Sequence, residues 1–188
     1  MKAMKRWISV VVACFFIAWL CGYRWNNSDS FPIGIWKIIK PFDLTTDKFQ
    51  TVLFCPPDSA LFQEAKARGY LTFGVLSCPN GYQPLIKRVV ASAGDRVIVS
   101  DAGVMINGIL QTNSRLIHTD KEGRALPQAS SGIVLEGMVW VLSDYNAMSF
   151  DSRYFGPVAV NSIIGVITPV IQPLQWICGD PIQRIENS

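Results

Sequence analysis

The chain has 188 residues, of which 49% are apolar and 16% are charged, and its formal net charge is +3. This length supports one folded domain with its own core, and the apolar content excludes a largely disordered protein. The small positive charge argues against a nucleic-acid-binding surface.

The N-terminal segment predicts a membrane anchor. Residues 7–23 contain no charged side chain, and three basic residues precede them. As a helix this run spans roughly 25 Å, near the short end for a membrane span, and the basic flank places the N-terminus in the cytoplasm. The alternative is a cleaved secretory signal that releases the rest into the periplasm, although the exit lacks a good small-residue cleavage site. We expect an anchor over residues 1–24 and a periplasmic domain over residues 25–188.

The periplasmic part is predicted to be mostly β-strands, so the fold class is mainly β. Residues 58–69 predict one short amphipathic helix, with Asp58 as its N-cap and Gly69 as its end. Asn107-Gly108 predicts the tip of a β-hairpin. Strand patterns occur at residues 51–55, 84–91, 96–100, 103–111, 138–143 and 162–171, and long loops are expected at 118–132 and 144–157.

Five cysteines bear on the compartment. Cys14 and Cys21 lie in the apolar run and are expected to be inert packing residues. Cys55 and Cys78 each precede a proline in a turn-like sequence, which makes them the natural disulfide pair of an oxidising compartment. Cys178 is left over.

His118 is the only histidine in the chain. It lies in a polar loop, which argues against a Ser-His-Asp triad or a Cys-His pair built on it. Without a Cys-x-x-Cys motif, one histidine also argues against a zinc site. The sequence contains no Gly-rich phosphate-binding signature either, so other residues must carry any catalysis.

A first candidate stretch begins at Ser28 and Ser30, which precede Phe31-Pro32-Ile33-Gly34. Proline fixes its own φ and restricts the residue before it, and glycine permits a turn or a close backbone approach. Taken alone, the stretch fits a linker leaving the membrane as well as a serine held stiffly before the first strand.

A second candidate is Lys87, which shares one face of a predicted strand with Leu85 and Val89, while Arg88 lies on the other face. Burial disfavours the ammonium and lowers its pKa. A lysine that acts as a base near neutral pH needs a pKa about 3 below the usual value of about 10.4. Such a change corresponds to roughly 4 kcal/mol of free energy between the protonated and neutral amine. Arg88 could not replace it, because guanidinium stays charged. The alternative is a lysine at the sheet edge with its amine in water.

A third candidate is formed by Ser149, Asp151 and Arg153, which alternate along the chain. In an extended segment they would face one way and could form a hydrogen-bonded network. The alternative is an ordinary polar turn.

In this order, the three stretches resemble the signal peptidase family of serine peptidases, which use a Ser-Lys dyad. Residues 30–34 are similar to its nucleophile box, residues 86–95 to its lysine box and residues 149–156 to its late Ser/Asp/Arg box. The resemblance runs from about Ser28 to Pro169 and is strongest to conjugative transfer signal peptidases of the TraF type. It implies a signal-peptidase-like β fold and no cofactor.

The resemblance also implies catalytic roles. Ser30 is expected to be the nucleophile, and a neutral, buried Lys87 is expected to take its proton and later protonate the leaving amine. The Ser30 backbone N–H, aided by the Ser28 hydroxyl, would form the oxyanion hole.

The remaining residues of the three boxes would support this pair. Ser149 is expected to orient Lys87, and Asp151 is expected to act in the site through Arg153 or Lys87. Arg88 is grouped with the supporting residues. No metal is implied.

The function implied is a membrane-anchored serine endopeptidase that processes a pilin precursor of a conjugative or type IV secretion system. In such relatives, the substrate's own N-terminal amine can resolve the acyl-enzyme and give a cyclic product. The alternatives are a general leader peptidase and a non-catalytic component of the mating pore. The expected partners are a preprotein, the inner membrane and other transfer components, and not nucleic acid.

Overall fold

The computed structural model describes residues 2–72, 74 and 78–172. Its regular elements are three α-helices and eleven β-strands, with a short 3-10 turn at Val160–Ser162. In chain order they are α1 (Lys2–Leu20), β1 (Tyr23–Asn26), β2 (Gly34–Lys40), β3 (Thr51–Phe54), α2 (Ala60–Ala67), β4 (Leu85–Ser92), β5 (Arg96–Ser100), β6 (Gly103–Ile106), β7 (Ile109–Leu110), β8 (Gly132–Ile133), β9 (Met138–Leu142), α3 (Ser152–Phe155), β10 (Val158–Ala159) and β11 (Ile163–Ile171).

The strands form two antiparallel sheets, which confirms the mainly β prediction. The larger sheet has the strand order β1-β2-β11-β3-β4-β9-β10, and the smaller has the order β7-β6-β5-β8. Apolar side chains of β4 and β9 pack against those of β5 and β6 in one core cluster, which includes Val90, Trp140, Val97 and Val104. The inner strands β4 and β9 are therefore covered by other elements, and a polar side chain on them can be screened from water.

The predicted strands and the hairpin are confirmed. Asn107 and Gly108 have φ values of 51° and 85°, as the two central residues of a type I′ turn require. The predicted disulfide is also confirmed, since Cys55 and Cys78 are bonded with their Cα atoms 5.5 Å apart. Cys178 lies outside the described residues.

The predicted N-cap of α2 is wrong by one residue. Ser59 occupies the N-cap position, and no side chain caps the helix there. The Asp58 carboxylate instead accepts a hydrogen bond from the Gln63 side chain at 3.1 Å. Gly69 ends the helix as predicted, with a φ of 82° that favours glycine.

The N-terminal helix α1 ends at Leu20, and β1 begins at Tyr23, two residues before the predicted start of the second domain. The thiols of Cys14 and Cys21 are free and exposed, so neither packs in the core of the described residues, and their expected inertness stays a prediction. Within the part of the chain that the structure describes, no helix meets both the length and the apolarity of a membrane span. The membrane anchor stays a prediction.

Candidate active site

The three candidate stretches meet in one cleft of ≈ 470 Å³, which Ser28, Ser30, Lys87 and Ser149 help to line. One wall consists of the β1–β2 loop, the start of β4 and residues 146–150, and we call it the inner wall. Another part of the lining, which we call the outer wall, consists of residues 68–72, which follow α2, and of the loop around residues 117–126. The structure therefore brings together residues that are more than a hundred positions apart in the sequence.

Asn26, the last residue of β1, holds the loop that carries Ser30. Its side-chain amide donates to the carbonyl oxygens of Ser28, Phe31 and Pro32 at 3.1, 3.0 and 3.0 Å, and its oxygen accepts from the Ser28 N–H at 3.2 Å. Sequence reasoning missed this residue because β1 was not predicted. The signal available was an asparagine before a Ser-rich turn, a residue type that often hydrogen-bonds nearby backbone groups.

Gly34 explains why the loop after Ser30 is rigid. Its φ is 149°, and a Cβ atom on it would lie 2.1 Å from the carbonyl oxygen of Ile171, on the strand paired with β2. Phe31 is buried against Trp36 with their rings edge to face. Phe31 is therefore part of the core and Gly34 is buried against β11, so the linker alternative is wrong.

Lys87 lies in the interior of the sheet. Its residue is 1% exposed, it is paired with Val52 of β3, and Leu85 and Val89 beside it pack in the same apolar cluster as Val52. Burial is the main cause that lowers the pKa of Lys87 to about 8, while the Asp151 charge raises it and the Arg153 charge lowers it. The sheet-edge alternative is therefore wrong.

The Ser30 side chain interacts with a second hydroxyl. Ser149 Oγ donates to Ser30 Oγ at 3.2 Å, so the structure directs Ser149 to Ser30 and not to Lys87 as expected. The Ser30 N–H donates to Ser28 Oγ at 3.2 Å. The two groups predicted to form the oxyanion hole are therefore adjacent, and they contact each other in the free protein.

Asp151 and Arg153 form a fully buried ion pair beneath the inner wall, and both residues are 0% exposed. Arg153 Nε and Nη2 lie 2.8 and 3.0 Å from the two carboxylate oxygens. The guanidinium also donates to four backbone carbonyl oxygens, those of Asn113, Arg115, Ala147 and Ser149. The pair thus fixes the backbone of the segment that presents Ser149.

Two expectations about this segment need correction. Residues 149–153 are not one extended stretch, because Asp151 is the N-cap of α3 and accepts a hydrogen bond from the Arg153 N–H. Among the described residues, the Asp151 carboxylate bonds to Arg153 and to the Ser143 N–H at 3.1 Å, and no hydrogen bond joins it to Lys87. Asp151 is therefore hydrogen-bonded to Arg153, and it influences Lys87 through its charge.

Arg88 and His118 lie outside the cleft lining. Arg88 Nε is 2.6 Å from Asp144 Oδ2, with both side chains more than a third exposed. The contact is an ion pair near the surface. His118 pairs with Asp101 at 3.0 Å, also exposed, which agrees with the expectation that it is not a catalytic base.

The cleft therefore combines a serine hydroxyl, a neighbouring hydroxyl that bonds to it, and a buried amine with a pKa of about 8. An amine that is partly neutral near physiological pH can accept a proton, and a serine needs such a base to become a nucleophile. This set of groups is suited to acyl transfer.

Comparisons with known proteins identify relatives of this chain. The family model described as signal peptidase, peptidase S26, matches residues 3–171. The plasmid transfer protein TraF of Escherichia coli is 44% identical over 157 residues, 82% of this chain and 85% of that protein. The conjugal transfer protein TraF of Agrobacterium fabrum is 40% identical over 149 residues, 79% of this chain and 82% of that protein.

More distant matches are shorter. Signal peptidase I V of Bacillus subtilis is 29% identical over 96 residues, 46% of this chain and 57% of that protein. A crystal structure of a signal peptidase I from Enterococcus faecalis covers 70% of this chain and 100% of its own, at 24% identity and a TM-score of 0.36. That score is too low to support an argument about fold.

Proposed function

This chain belongs to the signal peptidase family, peptidase S26, and we propose that it is a serine endopeptidase with Ser30 as nucleophile and Lys87 as general base. The observation that carries the proposal is the burial of Lys87 in the cleft that Ser30 lines. A buried amine with a pKa of about 8 is a usable base near neutral pH. A lysine with only a structural role would avoid that burial.

The proposed reaction begins when the Lys87 amine accepts the Ser30 hydroxyl proton and Ser30 Oγ attacks the scissile carbonyl carbon. The resulting ammonium then protonates the departing amine, which leaves an acyl group on Ser30. The Ser30 N–H and the Ser28 hydroxyl stabilise the oxyanion. For this, the Ser28 hydroxyl must rotate from its present role as acceptor, so that both groups donate to the substrate oxygen.

The proposed substrate is a pilin precursor of a conjugative transfer system. Support comes from relatives named plasmid or conjugal transfer proteins that match about four fifths of this chain. The pilin's own N-terminal amine could attack the acyl-enzyme in place of water. This step releases Ser30 and closes the pilin into a ring that is lighter than the linear product by one water. Mass spectrometry of the mature pilin distinguishes the two products. Free termini would leave hydrolysis as the reaction.

A general leader peptidase is the second candidate, and the match to signal peptidase I V of Bacillus subtilis favours it. The two functions differ in substrate range. Purified protein that cleaves only the pilin precursor supports the first, and cleavage of unrelated exported preproteins supports the second.

We also propose that α1 attaches the chain to the inner membrane, with the peptidase domain on the periplasmic side. Support comes from its exposed apolar side chains, such as Trp7 at 72% and Phe15 at 74%, and from the Cys55–Cys78 disulfide, which suits an oxidising compartment. Protease added to spheroplasts should digest the domain, and the intact chain should sediment with membranes. Recovery in the soluble fraction would contradict this proposal.

The enzyme proposal is tested with Ser30→Ala. We expect this variant to fold like the wild type but to leave the precursor uncut, because it loses the nucleophile and little packing. Ser100→Ala is the matched control, since it removes a hydroxyl that bonds to the Gly103 carbonyl oxygen in a turn outside the cleft. Processing by Ser30→Ala would overturn the nucleophile assignment and favour a non-catalytic role in transfer.

A further inference from the structure

We propose that Ser143 is a positioning residue for the nucleophile. Its hydroxyl donates to the carbonyl oxygen of Ser30 at 2.5 Å and thereby fixes the orientation of the peptide that carries the Ser30 side chain. The inference rests on the proposed function of Ser30. Sequence reasoning did not identify this contact, because the two serines are 113 residues apart.

The Ser143 hydroxyl is itself held in one orientation. Ser143 follows β9 and is 0% exposed. Its oxygen accepts from the N–H groups of Asn146 and Tyr145 at 3.0 and 3.3 Å. With both acceptor positions occupied, the single hydroxyl proton is left for the Ser30 carbonyl oxygen.

The backbone of Ser143 is anchored as well. Its N–H donates to Asp151 Oδ2 at 3.1 Å, and Asp151 is locked to Arg153 in the buried ion pair. Ser143 therefore bonds to the Ser30 loop through its hydroxyl and to this pair through its backbone N–H. We interpret the pair as the rigid support of the nucleophile and Ser143 as the contact that transmits this rigidity.

A neighbouring donor strengthens the same contact. The Asn146 side-chain amide donates to the carbonyl oxygen of Asp29 at 3.0 Å, so the loop after β9 holds two consecutive carbonyls of the Ser30 loop. The bond to Asp29 and the Ser30 N–H bond to Ser28 fix the peptide before Ser30. The bond from Ser143 fixes the peptide after it.

These constraints have different consequences for the nucleophile. The contact between Ser149 and Ser30 sets the direction of the Ser30 hydroxyl about its own Cα–Cβ bond. That direction is useful only if the backbone of Ser30 is also fixed. Rotation about the ψ angle of Ser30 changes the position of its Cα atom relative to the following peptide, and the side chain moves with the Cα atom. Loss of the Ser143 hydroxyl frees this rotation, and a misplacement of about 1 Å can cost about 100-fold in rate.

The test compares Ser143→Ala with Ser162→Ala in the full chain. Ser162 is the matched control, because its hydroxyl donates to the Ala159 carbonyl oxygen at 2.6 Å outside the cleft. The probe is a synthetic peptide that spans the processing site mapped on the pilin precursor. We expect Ser143→Ala to lower kcat by about 10- to 100-fold with KM changed less than about threefold, and Ser162→Ala to match the wild type.

A pH profile separates positioning from a change in the base. If Ser143 acts on Ser30 alone, kcat of Ser143→Ala falls at low pH with the same midpoint as in the wild type. Only the maximum kcat, reached at higher pH, is lower in the variant. A wild-type kcat in Ser143→Ala would overturn the proposal, as would a loss fully explained by a smaller folded fraction in thermal melts. If Ser30→Ala is inactive while Ser143→Ala is normal, only the positioning role fails. If Ser30→Ala is active, the proposed function fails.

Discussion

An aspartate–arginine pair supports each wall of the cleft, but the two pairs differ in their access to water. Beneath the inner wall, the side chains of Asp151 and Arg153 are 0% exposed. On the outer wall, the side chain of Asp120 is 7% exposed and that of Arg124 is 39% exposed. An exposed pair contributes little to stability, whereas a buried arginine without its partner is very unfavourable. The difference indicates that the inner wall is the rigid part of the site.

The outer wall joins two segments through side chains near the surface. Tyr70 donates to Asp120 in a short hydrogen bond, and Arg124 Nε lies 2.6 Å from the same carboxylate. Desolvation raises the pKa of Asp120, but the hydrogen bonds from Tyr70 and Arg124 outweigh it and hold this pKa well below its usual range. The wall is ordered by contacts that water and salt can weaken, which suits a surface that a substrate must enter.

The largest effect should come from the base on the inner wall. We expect Lys87→Arg to lower kcat by at least about 100-fold, because a guanidinium keeps its proton and cannot accept one from Ser30. In the wild type, kcat should fall as the pH drops through about 8, where the Lys87 amine becomes protonated. Both are measured with the pilin-derived peptide. Substantial turnover by Lys87→Arg would end the Ser-Lys proposal.

The next effect concerns the buried pair. We expect Arg153→Met to destabilise the protein by about 3–5 kcal/mol, because it leaves the Asp151 carboxylate buried without its partner. Urea unfolding followed by circular dichroism measures this loss. Replacing both residues by apolar ones, as Asp151→Leu with Arg153→Met, should recover part of it. A loss below about 1 kcal/mol in the single variant would mean that water reaches the pair.

The sequence predicted the proposed catalytic groups better than the groups that hold them. The alternation of β4 placed Lys87 between two apolar neighbours, a pattern that left a sheet-edge lysine open, and the family resemblance favoured burial. The roles of Asn26 and Ser143 depend on hydrogen bonds to a loop whose path is set by tertiary packing. No local pattern encodes the contact from Ser143, which lies 113 residues from Ser30, and the local signal at Asn26 was missed because β1 was not predicted.

The same limit explains the errors around Asp151. The order of the three boxes identified the Ser149, Asp151 and Arg153 cluster, but alternation predicted an extended segment where α3 begins. A side-chain cap on the Arg153 N–H decides that conformation, and an aspartate can serve equally in a turn or at an N-cap. The cluster was predictable from residue types, and its geometry was not.

The disulfide supports the outer wall, since the Cys55–Cys78 bond closes the segment that contains α2 and residues 68–72. We expect Cys55→Ser with Cys78→Ser to lower the free energy of unfolding by about 3 kcal/mol, the value for a closed loop of this size in the chain-entropy model. Denaturation of both forms in the same buffer gives the difference. If reductant lowers the stability of the double variant too, the effect does not come from this bond.

A smaller effect is expected when the inner wall loses its buried amine. The folded-state pKa of Lys87 is about 8, below the unfolded value of 10.5, so the folded state is penalised at low pH. The penalty is absent above pH 10.5, grows as the pH falls towards about 8 and is constant below that value. Lys87→Met should therefore be more stable below pH 8 by at most roughly 3 kcal/mol, and repacking should reduce this gain.

Melts of wild type and Lys87→Met between pH 6 and pH 11 test this window, with Lys66→Met as a surface-lysine control. The gain should be flat below about pH 8 and should disappear above pH 10.5. A stability difference that does not change with pH would show that Lys87 does not titrate differently in the folded state, and it would remove the support for a neutral base.

The smallest effect should come from Arg124→Met, the outer-wall counterpart of Arg153→Met. Arg124 also stacks over the Tyr70 ring at 5.8 Å. Because the Arg124 side chain is partly exposed, water can replace it as a partner of Asp120, which keeps the hydrogen bond from Tyr70. We therefore expect Tm to fall by no more than a few degrees, and by less in about 1 M salt, which screens exposed charges.

The folded-state pKa of Asp120 is lowered, so the stability that its pairing provides is present above pH 3.8 and lost as the pH falls below that value. Thermal melts of the two methionine variants at neutral pH, in low and high salt, compare the walls directly. If Arg124→Met is as destabilised as Arg153→Met, the outer wall is as tightly coupled as the inner wall, and the rigidity that we assign to the nucleophile side is not special to it.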